Sequence, residues 1–271
     1  MDLVRGAASR TPALASLVLL VIWATAARAE DPQRLVQQAV QTELAANNSD
    51  DTKWLFYEVD RTAGHTDKKW VAETSKGSLE RVVEENGHAT SQQQQRSKME
   101  SFIHDGDAQA KQRKDDQHDD KQSADMLNLM ARAFDWTETS SQGNDVTLHF
   151  KPNPQFNPPT YAARVFAAME GDMVIEKQHH RIVSLKGRMT HAVKFLGGML
   201  GGIEPGGTFN VERRNTGNGE WQITETHVHI HGRVLMFKSI SEQEDNEKTK
   251  FRELPENISF QQAESELMKA N

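Results

Sequence analysis

The chain has 271 residues, no cysteine, and 39 acidic against 32 basic side chains, a formal charge of −7. Without thiols, disulfide exchange, thiol catalysis and Cys-ligated zinc or iron–sulfur chemistry are excluded. The acidic balance opposes phosphate backbones, so nucleic acid is not an expected partner.

Arg5 and Arg10 precede an apolar run, "ALASLVLLVIWATAA" (Ala13–Ala27), and Ala27-Arg28-Ala29 fits a small-x-small cleavage site. This order is that of a secretory signal peptide cut after Ala29. The run falls short of the roughly 18 apolar residues of a membrane span. The reading is therefore a signal peptide over residues 1–29 and a periplasmic or secreted chain over 30–271, with no transmembrane span after the leader is removed.

Asp31-Pro32 supplies a cap and a first helical residue. Leu35, Val36, Ala39, Val40 and Leu44 then recur at helical spacing up to Asn47-Asn48. "KWLFYEVDR" (Lys53–Arg61) shifts to a strand pattern rich in aromatics. "KWVAETS" and "SLERVVEE" continue it, and Asn86-Gly87 closes the last as a hairpin turn. From Ala89 the chain is almost wholly polar, which predicts a solvated helix, a mobile loop, or both, with a polar insertion at 104–125. "ADMLNLMARAFDW" restores order: Met126, Leu129, Met130, Ala133 and Phe134 fall on one helical stripe.

The second half reads as nearly continuous β-structure. "DVTLHFKP" predicts a strand, the prolines between Pro152 and Pro159 an extended connector, and "TYAARVFAAM" two or three helical turns. "GDMVIEKQHHRIVSLKGRM" predicts a hairpin turning at Gln178-His179-His180. "HAVKF", "TFNVERR", "EWQITETHVHIHGRVLMFKSISEQ" and "KTKFREL" continue the meander, and Ser259 with Gln262 makes a capping box for a C-terminal helix. About nine strands, a helix at each end and a helical insertion define a single α+β domain.

Two stretches invite a chemical reading. In "THVHIHG", His227, His229 and His231 share one face of a strand at a spacing of about 6.8 Å. Neighbouring members can share an ion, but all three cannot easily converge, and zinc needs further ligands. A solvent-facing strand is the favoured reading, with no metal or other cofactor assigned. "FLGGMLGGIEPGG" interleaves glycine with Phe195, Leu196, Met199, Leu200 and Ile203. It lacks the helix start and Lys-Ser/Thr of a phosphate cradle. An apolar loop of this kind is costly to expose, so it is a core bend, a flap over a cavity, or a lip that touches lipid. There is no G-x-S-x-G elbow and no H-E-x-x-H, so no catalytic residue is assigned and a non-enzymatic protein is expected.

The order of these elements, with "KWLFYEVDR", "VAETSKGSLERVVEENG", "GDMVIEKQHHRIVSLKGRM" and "GRVLMFKSIS", resembles the LolA/LolB-like superfamily, which includes lipoprotein carriers and the RseB-type sensor domain. The latter half also resembles uncharacterised secreted bacterial proteins. The resemblance implies a strongly curved antiparallel sheet, a half-barrel, with helices covering its concave face. It implies a periplasmic protein of the cell envelope that holds a lipid, a lipoprotein acyl chain or another hydrophobic ligand in an apolar groove. Met126, Leu129, Met130, Phe134, Phe195, Leu196, Met199, Leu200 and Ile203 are the expected contacts. The alternatives are an envelope signalling or scaffolding module that binds a protein partner, and a metal-binding protein using the histidine strand.

Overall fold

Helix α1 (Pro32–Ser49) starts where Asp31 Oδ1 accepts a hydrogen bond from the Gln33 amide at 3.1 Å, with Pro32 in the first turn. Its buried stripe is Leu35, Val36, Ala39, Val40 and, unexpectedly, Glu43. Strands β1 (Lys53–Thr62), β2 (His65–Thr74), β3 (Gly77–Glu85) and β4 (His88–Ala89) follow as a meander. The β3–β4 turn places both Asn86 (φ 51°) and Gly87 (φ 80°) in the left-handed region, the conformation that an Asn-Gly pair tolerates best.

The polar run is helical. A capping box between Ser91 and Gln94 opens α2 (Gln92–His104), and the Asp105 carboxylate caps α3 (Gly106–Ala133) through the amides of Asp107 and Ala108. Pairs at i,i+4, Lys111–Asp115 and Lys121–Asp125, bridge turns of this solvated helix. Burial is confined to its last turns, at Leu129, Met130, Ala131 and Ala133.

Phe134 is not on the α3 stripe, where helical spacing puts it, but is the first residue of strand β5 (Phe134–Gln142). Its ring is buried either way, because β5 enters the sheet directly at the helix end and sets Phe134 against Phe150, tilted, at 4.6 Å. The remaining strands are β6 (Asp145–Pro152), β7 (Met169–Glu176), β8 (Arg181–Met189), β9 (Val193–Lys194), β10 (Gly201–Ile203), β11 (Thr208–Gly217), β12 (Glu220–His229), β13 (Gly232–Val234) and β14 (Gln243–Leu254). The "AARVFAA" segment forms a 3-10 helix (Ala162–Ala168) rather than α-turns, and the capping box at Ser259 opens α4 (Phe260–Lys269). The structure describes residues 30–194, 201–217, 219–230, 232–234 and 243–271. The expected leader and cleavage site (residues 1–29), His231, and Phe195, Leu196, Met199 and Leu200 lie outside the described residues.

Among the described residues, eleven strands make one antiparallel sheet in the order β4-β3-β2-β1-β14-β12-β11-β8-β7-β6-β5, and β9, β10 and β13 make a small second one. The long-range pairing of β1 with β14 joins the two halves of the chain. The sheet does not close, and it curls. Strands β3 and β5 are nine strand spacings apart, about 43 Å along a flat sheet. Yet Gln112 of α3 bonds the backbone of Ser78 on β3 (amide to Oε1, 2.9 Å), and about 33 Å of helix later the chain enters β5. Helix α3 is thus the chord of a bent sheet, and α1, packed on α3, shares its concave side.

Following the register across the strands assigns each side chain to a face. The concave face carries Trp136, Leu148, Phe150, Met173, Leu185 and Phe209, which with α1 and the end of α3 form the larger core. Phe209 lies over a cross-strand glycine pair, and a Cβ on Gly187 would come within 2.6 Å of its ring. Leu55, Trp70, Ala72 and Leu79 point the other way and form a second core with α2 and α4. The helices are therefore shared between the two faces, one pair at each wing of the sheet.

Candidate functional site

The concave face has an apolar wing under α1 and α3 and a mixed wing on β14, β1 and β2. In the first, Leu129, Met130, Phe134 and Ile203 are all buried in the larger core, and Met126 sits half-buried at its margin. Phe134 also makes edge contacts with Trp136 (5.8 Å) and Phe166 (5.3 Å).

The second wing was not foreseen. Trp54, Phe56 and Val71 form a separate buried cluster with Phe251 packed on it. Phe56 and Phe251 stack at 5.3 Å, and Trp54 meets Phe251 edge-on at 6.0 Å. Among the described residues, no helix side chain joins this cluster. Lys248 Nζ lies 5.1 Å from the centre of the Phe56 ring, and the buried Trp54 Nε1–H has no acceptor. Glu73 accepts from the Trp54 backbone amide at 3.0 Å, and burial pushes its carboxyl above the ordinary range despite that bond and the charge of Lys248.

Next along the same face lies a half-buried charge network. Lys69 Nζ is 2.9 Å from Glu80 and 3.6 Å from Glu58, and the Asn246 amide donates to Glu58. Asp60 and Glu244 are both raised, chiefly by burial. Lys69 partly opposes the effect at Asp60, whereas Asp60 and Glu58 add to it at Glu244.

A third feature anchors α1. Glu43 accepts from Arg181 Nε (3.1 Å) and Nη2 (3.0 Å) and from the Ile182 amide (2.8 Å), and it also pairs with Arg213. Arg181 in turn lies over the Trp221 ring at 5.7 Å. One signal for Glu43 was present in the sequence: it falls seven residues after Val36 and three after Val40, on the helix's apolar stripe. Trp54 and Phe56 carried a signal too: Trp54-Leu55-Phe56-Tyr57 is an unbroken apolar run, the pattern of a strand covered on both faces rather than one.

The histidine strand is β12. Val228 faces the concave side and is buried, and His227 and His229 face outward. They are not merely hydrated. His227 Nδ1 and His229 Nε2 lie 2.8 and 2.9 Å from the same oxygen, Oδ1 of Asp245 on β14. Burial opposes ionisation of Asp245, but bonds from both imidazoles and Gln243 outweigh it and hold the carboxyl below its usual range. Elsewhere, one ligand atom from each of His65, Asp67 and Glu85 lies within 4.8 Å of the other two.

No protein-family model matches the chain, and no curated protein matches it in sequence. Two solved structures are similar to it. One, described as an outer membrane lipoprotein-sorting protein domain from Vibrio parahaemolyticus, aligns over 89% of this chain and 100% of its own at 8% identity, with a TM-score of 0.32. The other, a DUF1329 family protein from Desulfovibrio piger ATCC 29098, aligns over 82% of this chain and 93% of its own at 10% identity, with a TM-score of 0.29. The molecule's own geometry defines its class: an α+β protein with a curved, unclosed eleven-stranded antiparallel sheet and helices packed on it. Among the described residues no helix is long and apolar enough to cross a membrane.

Proposed function

We propose that this is a non-enzymatic periplasmic protein that binds a lipid, a lipoprotein acyl chain or another hydrophobic ligand along the concave face of its sheet. The observation that carries the reading is the Trp54–Phe56–Val71–Phe251 cluster. It extends the apolar lining of the concave face beyond α1 and α3, and no described helix contributes to it. Trp54, Phe56 and Val71 are buried, so an acyl chain entering there would displace the side chains that cover them, and it would gain about 25 cal/mol for each Å² of its own apolar surface removed from water. Once that cover moves, the Trp54 Nε1–H, unpaired among the described residues, and the Lys248 ammonium would offer a donor and a positive charge to an acyl carbonyl or carboxylate. In this reading Met126, Leu129 and Met130 of α3, with Phe134 of β5 and Ile203 of β10, line one side of the groove, and Phe195, Leu196, Met199 and Leu200, which lie outside the described residues, are further proposed contacts. The secretory leader and the likeness of the hairpin segments to lipoprotein carriers point the same way.

Native mass spectrometry of protein recovered from its own envelope tests the proposal, alongside quenching of tryptophan emission by a brominated fatty acid. A bound amphiphile, with quenching that falls sharply in Trp54→Phe, supports it. Consistently empty protein whose emission the probe leaves unchanged would overturn it.

A further inference from the structure

Where β1 turns into β2 and β3 turns into β4, the strand register sets carboxylates side by side. Asp60 is directly opposite Asp67, and Asp67 directly opposite Glu85, so three acids on three neighbouring strands share the concave face. Like charges placed directly opposite destabilise a strand pair. Their partners are one imidazole and one ammonium, with Lys69 acting on Asp60. His65 Nε2 lies 3.0 Å from Asp67 Oδ2, and Lys98 Nζ lies 3.0 Å from Glu85 Oε2. The second oxygen of Asp67, Oδ1, is buried and accepts no hydrogen bond among the described residues.

His65 and Asp67 are two apart on β2, so strand alternation puts both side chains on one face, and the register adds Glu85 beside them. The backbone beneath is pinned. Asn86, in the β3–β4 turn, donates its amide to Thr66 O (2.7 Å) and accepts the Thr66 amide on Oδ1 (2.9 Å). One ligand atom from each of His65, Asp67 and Glu85 lies within 4.8 Å of the other two. Bonds of about 2.1 Å at tetrahedral angles need donors about 3.4 Å apart, a gap that small side-chain rotations close. His65 and Glu85 are each nearly half exposed, so an ion has access and keeps room for solvent ligands.

An imidazole nitrogen with two carboxylates suits a first-row divalent ion, whereas calcium and magnesium prefer oxygen alone. We propose that His65, Asp67 and Glu85 form a site for one such cation, zinc ahead of manganese, which neutralises the carboxylate row. Lys98 gives up Glu85 when the ion binds. The site is distinct from the histidine pair on β12, and it does not depend on the hydrophobic-ligand reading.

The test is calorimetric titration of the tag-free, chelator-treated chain (residues 30–271) with zinc, manganese and calcium chlorides. The expected result is one saturable zinc site, weaker manganese binding and no calcium site. His65→Ala and Asp67→Asn should each weaken zinc by at least about tenfold, and zinc should raise the melting temperature of the parent but not of Asp67→Asn. A His227→Ala/His229→Ala variant should bind zinc as the parent does. Should Asp67→Asn fail to fold, His65→Gln takes its place. No saturable zinc heat, parent-like binding in the His65 and Asp67 variants, or loss of binding in the β12 variant would each overturn the proposal.

Discussion

Arg181 donates through Nε and Nη2 to the two carboxylate oxygens of Glu43, at 3.1 and 3.0 Å, and so ties helix α1 to the start of β8. Both side chains are more than nine-tenths buried, and Arg213 shares the same carboxylate. Removing one member strands the others without compensation, which costs more than the pair contributes. Glu43→Gln should lower stability by about 3–5 kcal/mol in urea unfolding. Pairing Glu43→Leu with Arg181→Met should recover part of that loss. A single variant as stable as the parent would show that the charges are not isolated from water.

Phe134 and Met126 separate core from groove margin. Phe134→Ala removes a ring held by Phe150, Phe166 and Trp136 and should cost about 3–5 kcal/mol. Half-buried Met126 should cost only on the order of 1 kcal/mol when cut to alanine, while weakening the binding of a fatty-acid probe. Denaturant midpoints and probe titration on the same preparations compare the two.

Asp60 and Glu244 sit above the ordinary carboxylate range in the folded protein. Folding therefore favours their protonated forms. That contribution is complete below the unfolded pKa and is lost as pH rises through the raised folded values. Above those raised values both are charged at a cost to the fold. Asp60→Asn/Glu244→Gln should raise the urea midpoint of metal-free protein at pH 7, and the advantage should shrink as pH falls toward about 4. A midpoint below the parent's at pH 7 would contradict the assignment.

Asp245 has the opposite sign. Its carboxyl is held low by His227, His229 and Gln243 against the effect of burial. Its contribution is present above the unfolded pKa and disappears as pH falls through the depressed folded value. Asp245→Asn should cost about 1 kcal/mol at neutral pH. Unfolding curves of variant and parent should converge in strong acid, below the usual carboxylate range.

Much of this molecule follows from local rules. The caps at Asp31 and Ser259, the Asn86-Gly87 turn, the hairpin between Glu176 and Arg181 and the apolar stripe of α1 each depend on residues a few positions apart, so a one-dimensional pattern suffices to find them. Local patterns were weaker where a strand is polar on both faces. After Trp136, β5 reads "TETSSQ", and β14 begins "QEDNE". Neither shows apolar alternation, because pairing with β6 in one case, and with β1 and β12 in the other, supplies what composition does not.

What the sequence alone determined was a cysteine-free α+β chain, the type of most of its elements, and the alternation that buries Val228 while turning His227 and His229 outward. Only the tertiary structure decided which distant strands pair, and so which side chains meet. That β1 pairs with β14 brings Phe251 onto Phe56, that α1 docks at β8 buries Glu43 against Arg181, and that β2 lies between β1 and β3 aligns Asp60, Asp67 and Glu85. Such contacts join residues separated by up to most of the chain. Register and docking angle set them through the packing of the whole sheet, and no local run of residues encodes either.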